Sequence, residues 1–440
     1  MKQPPSELGP IAPQITARMH PLRDAVLAEV HARPFETLSA PLRVSHLALL
    51  SGTEAAAAAE ERAHLATLCR RFELAGPGPE SSHFSAEFGE FRLRWERHQE
   101  FSTYTFYRYG SSAASFDDPA VAVVPPDWLH ELPGELLAAV HLVLQHRDSA
   151  STEPGEIEST FGTEVFAGSA VADGAAVVWS DFRPHHDGYC RVLVQDRSLA
   201  PRRAGRLVQR LLEIETYRLM ALLAFPLARE AGPQLTRMET WLEQLTERLT
   251  ESDNAEAEQA LLAELSELAS QVERLNARTS FRLSAARAYH DLVSRRIENL
   301  REERLGDLQT LGKFMERRLT PAMRTCESVC ARQEALARRV ARAANLLRTR
   351  VDVALEAQNR DLLASMNRRA HMQLRLQQTV EGLSVVVLSY YTVGLLGYLI
   401  KAAKAAGLPV VVDLGVGLAV PAVILGMWLS LRSLRRRLHG

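Results

Sequence analysis

Two uncharged apolar runs decide the fold: GLSVVVLSYYTVGLLGYLI at Gly382–Ile400 and LGVGLAVPAVILGMWLSL at Leu414–Leu431. The first run has 19 residues and the second has 18. An α-helix needs roughly 20 apolar residues to cross the hydrocarbon core of a bilayer. Only 13 residues, Lys401–Asp413, separate the runs, so we predict a tight hairpin of two transmembrane helices over residues 382–431.

Basic residues around the two runs predict the orientation of this hairpin. Three arginines precede the first run and four follow the second, whereas the loop between them has only Lys401 and Lys404. Because basic flanks stay in the cytoplasm, we expect a multi-pass protein of a bacterial inner membrane with both termini cytoplasmic, including the basic tail 432–440. The first residues, MKQPPSE, lack the apolar core of a signal peptide. The seven arginines are Arg368, Arg369, Arg375, Arg432, Arg435, Arg436 and Arg437.

Residues 1–200 predict a cytosolic α+β or α/β domain. A helix is expected at Leu22–His31 and another from Thr53 to about Phe72. The dipeptide Asp173-Gly174 suits a two-residue hairpin turn. Alternating or β-branched segments predict strands at Arg43–Leu50, Phe91–Trp95, Ser102–Tyr109, Val121–Val124, Leu142–Gln145, Glu164–Ala172, Ala175–Ser180 and Tyr189–Val194.

Residues 201–381 predict long helices that form a stalk or bundle. Neither proline nor glycine occurs between Pro233 and Gly306, or between Pro321 and Gly382, where the helix would lead directly into the first apolar run. An apolar stripe at helical spacing favours either packing within one chain or a self-associating coiled coil, and both interpretations stay open. The stripe consists of Leu336, Val340, Ala343, Leu347, Val351, Leu355, Leu362 and Met366.

The net charge of −1 conceals two opposed blocks. Residues 231–270 carry a net charge of −7, and residues 271–380 carry +10. Such blocks favour helices that neutralise each other, or a basic stalk that faces anionic lipid. The basic block has few aromatic residues on which bases could stack, so nucleic acid is not expected as a partner.

Four short motifs, together with the terminal hairpin, resemble a bacterial family of membrane-anchored proteins of unknown function. The resemblance covers almost the whole chain and implies no activity. The motifs are His20-Pro21-Leu22-Arg23, His31-Ala32-Arg33-Pro34-Phe35, Trp95-Glu96-Arg97-His98 and Glu356-Ala357-Gln358-Asn359-Arg360.

The architecture of a cytosolic domain, opposed helices, a stalk and a hairpin resembles that of CorA-type magnesium channels. This resemblance implies a homo-oligomer assembled around the first span, with a divalent cation as the only cofactor or cargo. Those channels carry Gly-Met-Asn at the outer end of that span, where this chain has Gly397-Tyr398-Leu399. Lys401 and Lys404 in the loop would also repel a cation at the mouth.

The first span carries a polar face that would line a pore. Ser384, Tyr391 and Tyr398 lie seven residues apart, and Gly394 lies close to the same face. Alternatively, Tyr398 is an interfacial anchor and the other polar side chains form hydrogen bonds between helices. In the second span, a face of small residues predicts close helix packing: Gly415, Ala419, Ala422 and Gly426.

Candidate catalytic chemistry is sparse. The chain has no Gly-rich phosphate loop, nucleophile elbow or His-Glu-x-x-His motif, so we predict no enzyme and assign no catalytic residue. His185-His186-Asp187 offers metal ligands or a base, but a solvated turn is favoured. Structural roles are expected for the remaining candidates, which are His20, His31, His46, Cys326 and Cys330.

Two functions therefore remain. The first is a non-enzymatic, oligomeric inner-membrane protein that acts as a CorA-like divalent-cation channel. The second is a membrane-anchored cytosolic sensor or scaffold whose hairpin is only an anchor. The polar face and the continuous stalk favour the channel, whereas the missing asparagine and the lysines of the loop favour the anchor.

Overall fold

The computed structural model describes residues 20–23, 26–27, 35–110, 116–146, 154–163, 165–252, 254–406 and 411–438. The chain divides into two compact units, one of residues 1–247 with 264–342 and the other of residues 248–263 with 343–440. A mixed sheet occupies the N-terminal part, and long helices and a hairpin of two apolar helices follow it. These features confirm the predicted fold class.

The described strands form one nine-stranded sheet in the order β2-β3-β4-β1-β5-β8-β7-β6-β9. Neighbouring strands are antiparallel except β5 and β8, which are parallel. The strands are β1 (Leu42–Leu50), β2 (His83–Glu87), β3 (Arg92–Arg97), β4 (Phe101–Tyr109), β5 (Glu135–His146), β6 (Ala167–Val171), β7 (Ala176–Pro184), β8 (Cys190–Asp196) and β9 (Glu303–Arg304).

Most predicted strands are present, and one prediction is wrong. Residues Ala120–Val123 form a 3-10 turn instead of a strand, because Pro119 and the pair Pro125-Pro126 bound the segment and cannot donate to a ladder. The predicted hairpin turn is confirmed, since Asp173 and Gly174 both have positive φ (62° and 78°) between paired Val171 and Ala176.

The helices are α1 (Ala55–Arg71), α2 (Pro126–His130), α3 (Pro154–Phe161), α4 (Pro201–Leu222), α5 (Ala224–Glu251), α6 (Ala255–Glu298), α7 (Leu311–Arg318), α8 (Thr320–Ala405) and α9 (Val412–Leu438). The predicted helix at Leu22–His31 lies largely outside the described residues. The proline-free stretch after Pro233 is interrupted near Asn254, whose side chain accepts a hydrogen bond of 2.7 Å from Ala257 N and caps α6.

The long helices bring opposite charges together. Glu239, in the acidic block, pairs with Arg332 of α8 at 2.6 Å, and Glu230, the residue just before the block, pairs with Arg278 of α6 at 2.8 Å. The acidic block therefore faces basic helices, as the charge pattern predicts. Exposed pairs of this kind each stabilise a fold by less than about 1 kcal/mol, so apolar packing provides most of the stability here.

The two faces of the sheet pack against different helices. On one face, α1 covers a core that includes Leu65, Leu68, Trp95 and Tyr104. On the other face, α4 contributes to a smaller core of Ala48, Phe101, Ala138 and Met220. The second face is less completely filled by apolar side chains, and the candidate site lies there.

The apolar stripe on α8 divides into two parts. Its first members are buried, namely Leu336, Val340, Leu347 and Val351. Its last members, Leu355, Leu362 and Met366, are 44, 53 and 59% exposed. The first part thus packs within the chain, as the bundle interpretation requires. The exposed part leaves the coiled-coil interpretation as a prediction for residues beyond Val351.

The C-terminal hairpin has two helices that are long and apolar enough to cross a membrane, and almost none of the residues in their apolar segments are buried. The two helices touch at their loop ends. A Cβ built on Gly415 would lie 3.4 Å from Ile400 Cδ1, and one on Gly397 would lie 3.7 Å from Val416 Cγ2. Helix α9 continues through the predicted basic tail to Leu438.

Candidate functional site

A polar cavity of about 250 Å³ lies between the second face of the sheet and helices α4 and α6. Its strand residues are His46, Arg94, Glu96, Phe101, Thr103, Thr105 and Tyr107, with His98 from the turn after β3. Its helix residues are Gln209, Leu212, Glu213, Thr216, Tyr217 and Arg296. The sequence alone did not predict this cavity.

Strand and helix periodicity explains why these side chains converge. Successive side chains of a strand point to opposite faces, so Thr103, Thr105 and Tyr107 of β4 reach the cavity while Tyr104 enters the core under α1. On α4, Gln209, Glu213 and Thr216 recur three or four residues apart and therefore share one face. The polar residues of β4 are the signal that a sequence reading could have used.

His46 is fixed as a neutral, fully engaged side chain. Its Nδ1 lies 2.8 Å from Thr105 Oγ1 and its Nε2 lies 3.1 Å from Thr216 Oγ1. The Thr216 hydroxyl donates to Leu212 O at 3.0 Å, so it accepts from His46 Nε2–H, and Nδ1 accepts from Thr105. Burial lowers the pKa of His46 from 6.5 to about 4. With both ring nitrogens occupied, His46 supports the cavity wall and does not act as a base.

Ion pairs on the walls give the cavity both signs of charge. Arg94, which is almost fully buried, pairs with Glu96 at 2.7 Å. Arg296 of α6 pairs with Glu213 of α4. Gln209 Nε2 donates to Glu213 Oε1 at 2.8 Å, while the buried Gln209 Oε1 accepts no hydrogen bond among the described residues. Burial raises the pKa of the Tyr107 hydroxyl, which therefore stays neutral and available as a donor.

These groups are suited to holding a polar ligand. The lining has no serine or cysteine, both ring nitrogens of His46 are engaged by threonines, and the ring of His98 stacks on Phe101. Charged, hydroxyl and amide groups around a small volume are the usual means of orienting a polar ligand.

A second group, Ser45, His141 and Asp187, superficially resembles a catalytic triad. Ser45 Oγ lies 3.0 Å from His141 Nδ1, and His141 Nε2 lies 3.8 Å from Asp187 Oδ2. Ser45 is fully buried and its Oγ also accepts from Val121 N at 3.1 Å. The His141 ring stacks on Tyr189 at 3.7 Å, and burial lowers its pKa to about 4. The hydroxyl cannot reach a substrate, so this group holds strands together.

The other predicted histidine and cysteine candidates occupy separate places. His185 Nε2 lies 3.0 Å from Asp181 Oδ2. Asp187 Oδ1 accepts a hydrogen bond from Tyr189 N. His20 Nδ1 accepts a hydrogen bond from Leu22 N at 3.1 Å. His31 lies outside the described residues. Burial raises the pKa of Cys326 to about 11, so its thiol stays protonated. In the described ranges no three His, Cys, Asp or Glu side chains form a group that could hold a metal ion.

The predicted pore residues point away from α9. Tyr391 and Tyr398 are 65 and 71% exposed, a Cβ on Gly394 would meet nothing within 4 Å, and Ser384 Oγ donates to Val380 O at 2.9 Å. The side of α8 that turns inward instead carries Ser389, which is buried.

The predicted packing face of the second span is only partly turned inward. Gly415 and Ala419 are half-buried, and Gly415 packs against Ile400 of α8. Ala422 and Gly426 are exposed. The part of this face that packs against α8 therefore lies near the loop.

Comparison with known protein families identifies a match over almost the whole chain. The model of a protein family described as "Protein of unknown function (DUF3422)" matches residues 18–438. No curated protein and no solved structure matches the chain. The predicted resemblance to a family of unknown function is confirmed, and the resemblance to CorA-type channels stays a prediction.

Proposed function

The chain belongs to this family, DUF3422, and we propose that it is a non-enzymatic, membrane-anchored sensor that binds a small polar ligand. The ligand site is the cavity between the sheet and helices α4 and α6. The hairpin of α8 and α9 is the anchor in a bacterial inner membrane, with the ligand-binding part in the cytoplasm. The observation that carries this proposal is the polar cavity, because its walls offer charges, hydroxyls and an unused acceptor but no nucleophile.

The wall chemistry indicates the class of ligand. Arg94 and Glu96 lie on the strand side, and Arg296 and Glu213 lie on the helix side. A ligand with charged groups can exchange partners with either pair without leaving a buried charge unpaired, which would be costly. Gln209 Oε1 would accept a hydrogen bond from the ligand. A small charged metabolite of a few polar groups fits these requirements and the volume of about 250 Å³.

Ligand-dependent stabilisation tests this proposal. Purified full-length protein in detergent is screened by thermal unfolding against a library of small charged metabolites. A ligand present at 100 times its Kd should stabilise the fold by about 2.7 kcal/mol. Filling the cavity with Gln209→Trp should abolish the shift, whereas Gln244→Trp on the exposed side of α5 should preserve it. A shift that survives in Gln209→Trp would place the ligand elsewhere.

A CorA-like, homo-oligomeric cation channel is the second candidate function. The observation that favours it is the polar face of Ser384, Tyr391 and Tyr398, which is free of contacts with α9. In an oligomer this face would be available to surround an axis. Helix α8 is also continuous from Thr320 to Ala405, as a stalk that leads into a span requires. A flux measurement distinguishes this candidate from the anchor.

A further inference from the structure

The hairpin has one strongly basic end. Three exposed arginines precede the apolar part of α8, at Arg368, Arg369 and Arg375. Four more arginines follow the apolar part of α9 within the basic tail. We propose that this end of the hairpin binds the phosphate groups of anionic phospholipids. The inference rests on the proposed membrane anchor and is independent of the ligand cavity.

The hairpin contacts place the two arginine groups on the same side of the apolar part. Gly397 lies against Val416, and Gly415 lies against Ile400, so facing residues in the two antiparallel helices have numbers that add to about 814. Both helices rise about 1.5 Å per residue. Going down from these contacts, Gly382 is level with Arg432 and Gln377 is level with Arg437, so the tail arginines lie above Arg375 and well above Arg368 and Arg369. Both basic groups therefore lie below the apolar part of the hairpin, the tail group next to it and the α8 group further from it.

The arginines of α8 are suited to bind an external anion. No acidic residue lies between Asp361 and Glu381. In the described part of the chain, none of these three arginines forms an ion pair, whereas Arg360, two turns earlier, pairs with Glu356 at 2.8 Å. Arg368 and Arg375 lie seven residues apart and share a helix face with His371. A guanidinium on such a face binds phosphate through paired N–H donors.

The opposite end of the hairpin differs in charge. It carries Lys401 and Lys404 together with Asp413. The charge difference between the ends predicts that anionic headgroups collect at the arginine end. Basic residues next to a membrane each contribute about 1 kcal/mol to the attraction of an anionic surface. At 298 K that corresponds to about a fivefold change in affinity for each arginine.

Trp428 provides a local probe of these lipids. It lies four residues before Arg432, near the basic end, and is 52% exposed. The full-length protein is reconstituted in phosphatidylcholine vesicles that contain a brominated lipid, either phosphatidylglycerol or phosphatidylcholine, at equal fraction. Bromine quenches tryptophan fluorescence on contact, and the chain has five tryptophans, so the quenching that is lost in Trp428→Phe is the part due to Trp428. The ratio of that part for the two brominated lipids reports the preference for anionic lipid around Trp428.

The expected result is stronger quenching by the brominated anionic lipid. Arg368→Gln, Arg369→Gln and Arg375→Gln combined should lower the preference by about fivefold or more, and 0.5 M salt should weaken it. Arg360→Gln, which removes an arginine already paired with Glu356, and the pair Lys401→Gln and Lys404→Gln should leave it unchanged. Free glycerol phosphate at millimolar concentration should not displace the lipid.

The outcomes separate the two proposals. Equal quenching by both brominated lipids in the wild type would overturn the lipid site and leave the anchor intact. A preference that survives the triple arginine variant would also overturn it. Absence of quenching by either lipid would show that Trp428 is not in the bilayer, and the membrane anchor itself would then be rejected.

Discussion

At the scale of single residues, the buried histidines give the protein a defined response to acid. Burial lowers the pKa of His46 and of His141 to about 4, from an ordinary value of 6.5. Neither ring carries a proton at neutral pH in the folded chain. His46 holds β1 to β4 and α4, whereas His141 holds β5 to Ser45 of β1. Both rings therefore connect elements that surround the ligand cavity or its supporting sheet.

We expect the stability of the sheet to fall as pH decreases from 6.5 to 4. In that window the unfolded chain binds protons on both histidines and the folded chain does not, so each histidine lowers the free energy of unfolding by up to about 1.4 kcal/mol per pH unit. Above pH 6.5 neither state is protonated and this effect vanishes. Urea unfolding followed by tryptophan fluorescence should show a flatter dependence in His46→Gln. An identical slope in that variant would contradict the assignment.

Gly205 is required by a close approach of two backbones. A Cβ at this position of α4 would lie 1.8 Å from the carbonyl oxygen of Glu36. Gly205→Ala should therefore force the segment before β1 away from α4 and destabilise the fold by about 1–3 kcal/mol. Gly382→Ala is the control, because a Cβ there would meet nothing within 4 Å. Thermal unfolding of both variants measures the difference, and equal melting temperatures would show that the contact adjusts freely.

At the scale of elements, local patterns predicted most of the sheet and missed the parts that depend on tertiary context. The alternation at β1 and the Asp173-Gly174 turn were sufficient because both are local signals. Strands β2 and β9 were missed, since β2 is a five-residue strand at one edge and β9 has only two residues. The cavity was also missed, because Thr105, Thr216 and Arg296 meet only through the pairing of distant elements.

The apolar stripe on α8 has a buried part and an exposed part, and a substitution in each part should have a different effect. Leu347 is fully buried and Leu355 is 44% exposed. Leu347→Asp should place a charge in an apolar contact, so helical content and stability should fall by several kcal/mol. Leu355→Asp should preserve the helix and, if copies of the chain associate along the exposed stripe as the coiled-coil interpretation predicts, lower the mass of the particle.

Circular dichroism and size-exclusion chromatography with light scattering measure these two effects. An unchanged mass in Leu355→Asp would argue against self-association through this stripe. Loss of helicity in Leu355→Asp would show that the residue packs within its own chain instead.

At the scale of the whole molecule, the distribution of basic residues predicts the topology. Ala406 lies in the loop of the hairpin, and the exposed Ser433 lies in α9 after its apolar part. In a bacterial host, Ala406→Cys should react with an impermeant maleimide from outside intact cells, and Ser433→Cys should react only after lysis. The native cysteines at 69, 190 and 326 are buried, which limits background; a Cys330→Ser background removes the remaining partly exposed thiol. Labelling of Ser433→Cys in intact cells would reverse the proposed orientation.

Cation flux decides between the anchor and the channel. Under the proposed function, purified wild-type protein in liposomes transports no Mg²⁺, Ni²⁺, Co²⁺, K⁺ or Na⁺ above empty liposomes. In a channel, Tyr391→Ala with Tyr398→Ala would widen the pore and raise flux, whereas Tyr390→Ala, on the neighbouring exposed face, would not. Removal of Lys401 and Lys404 would raise flux further, and this effect would weaken at 0.1 M salt, where charges are screened beyond about 10 Å. Cation flux through the wild type would favour the channel over the anchor. Flux that rises in the Tyr391→Ala, Tyr398→Ala variant and not in Tyr390→Ala would do the same.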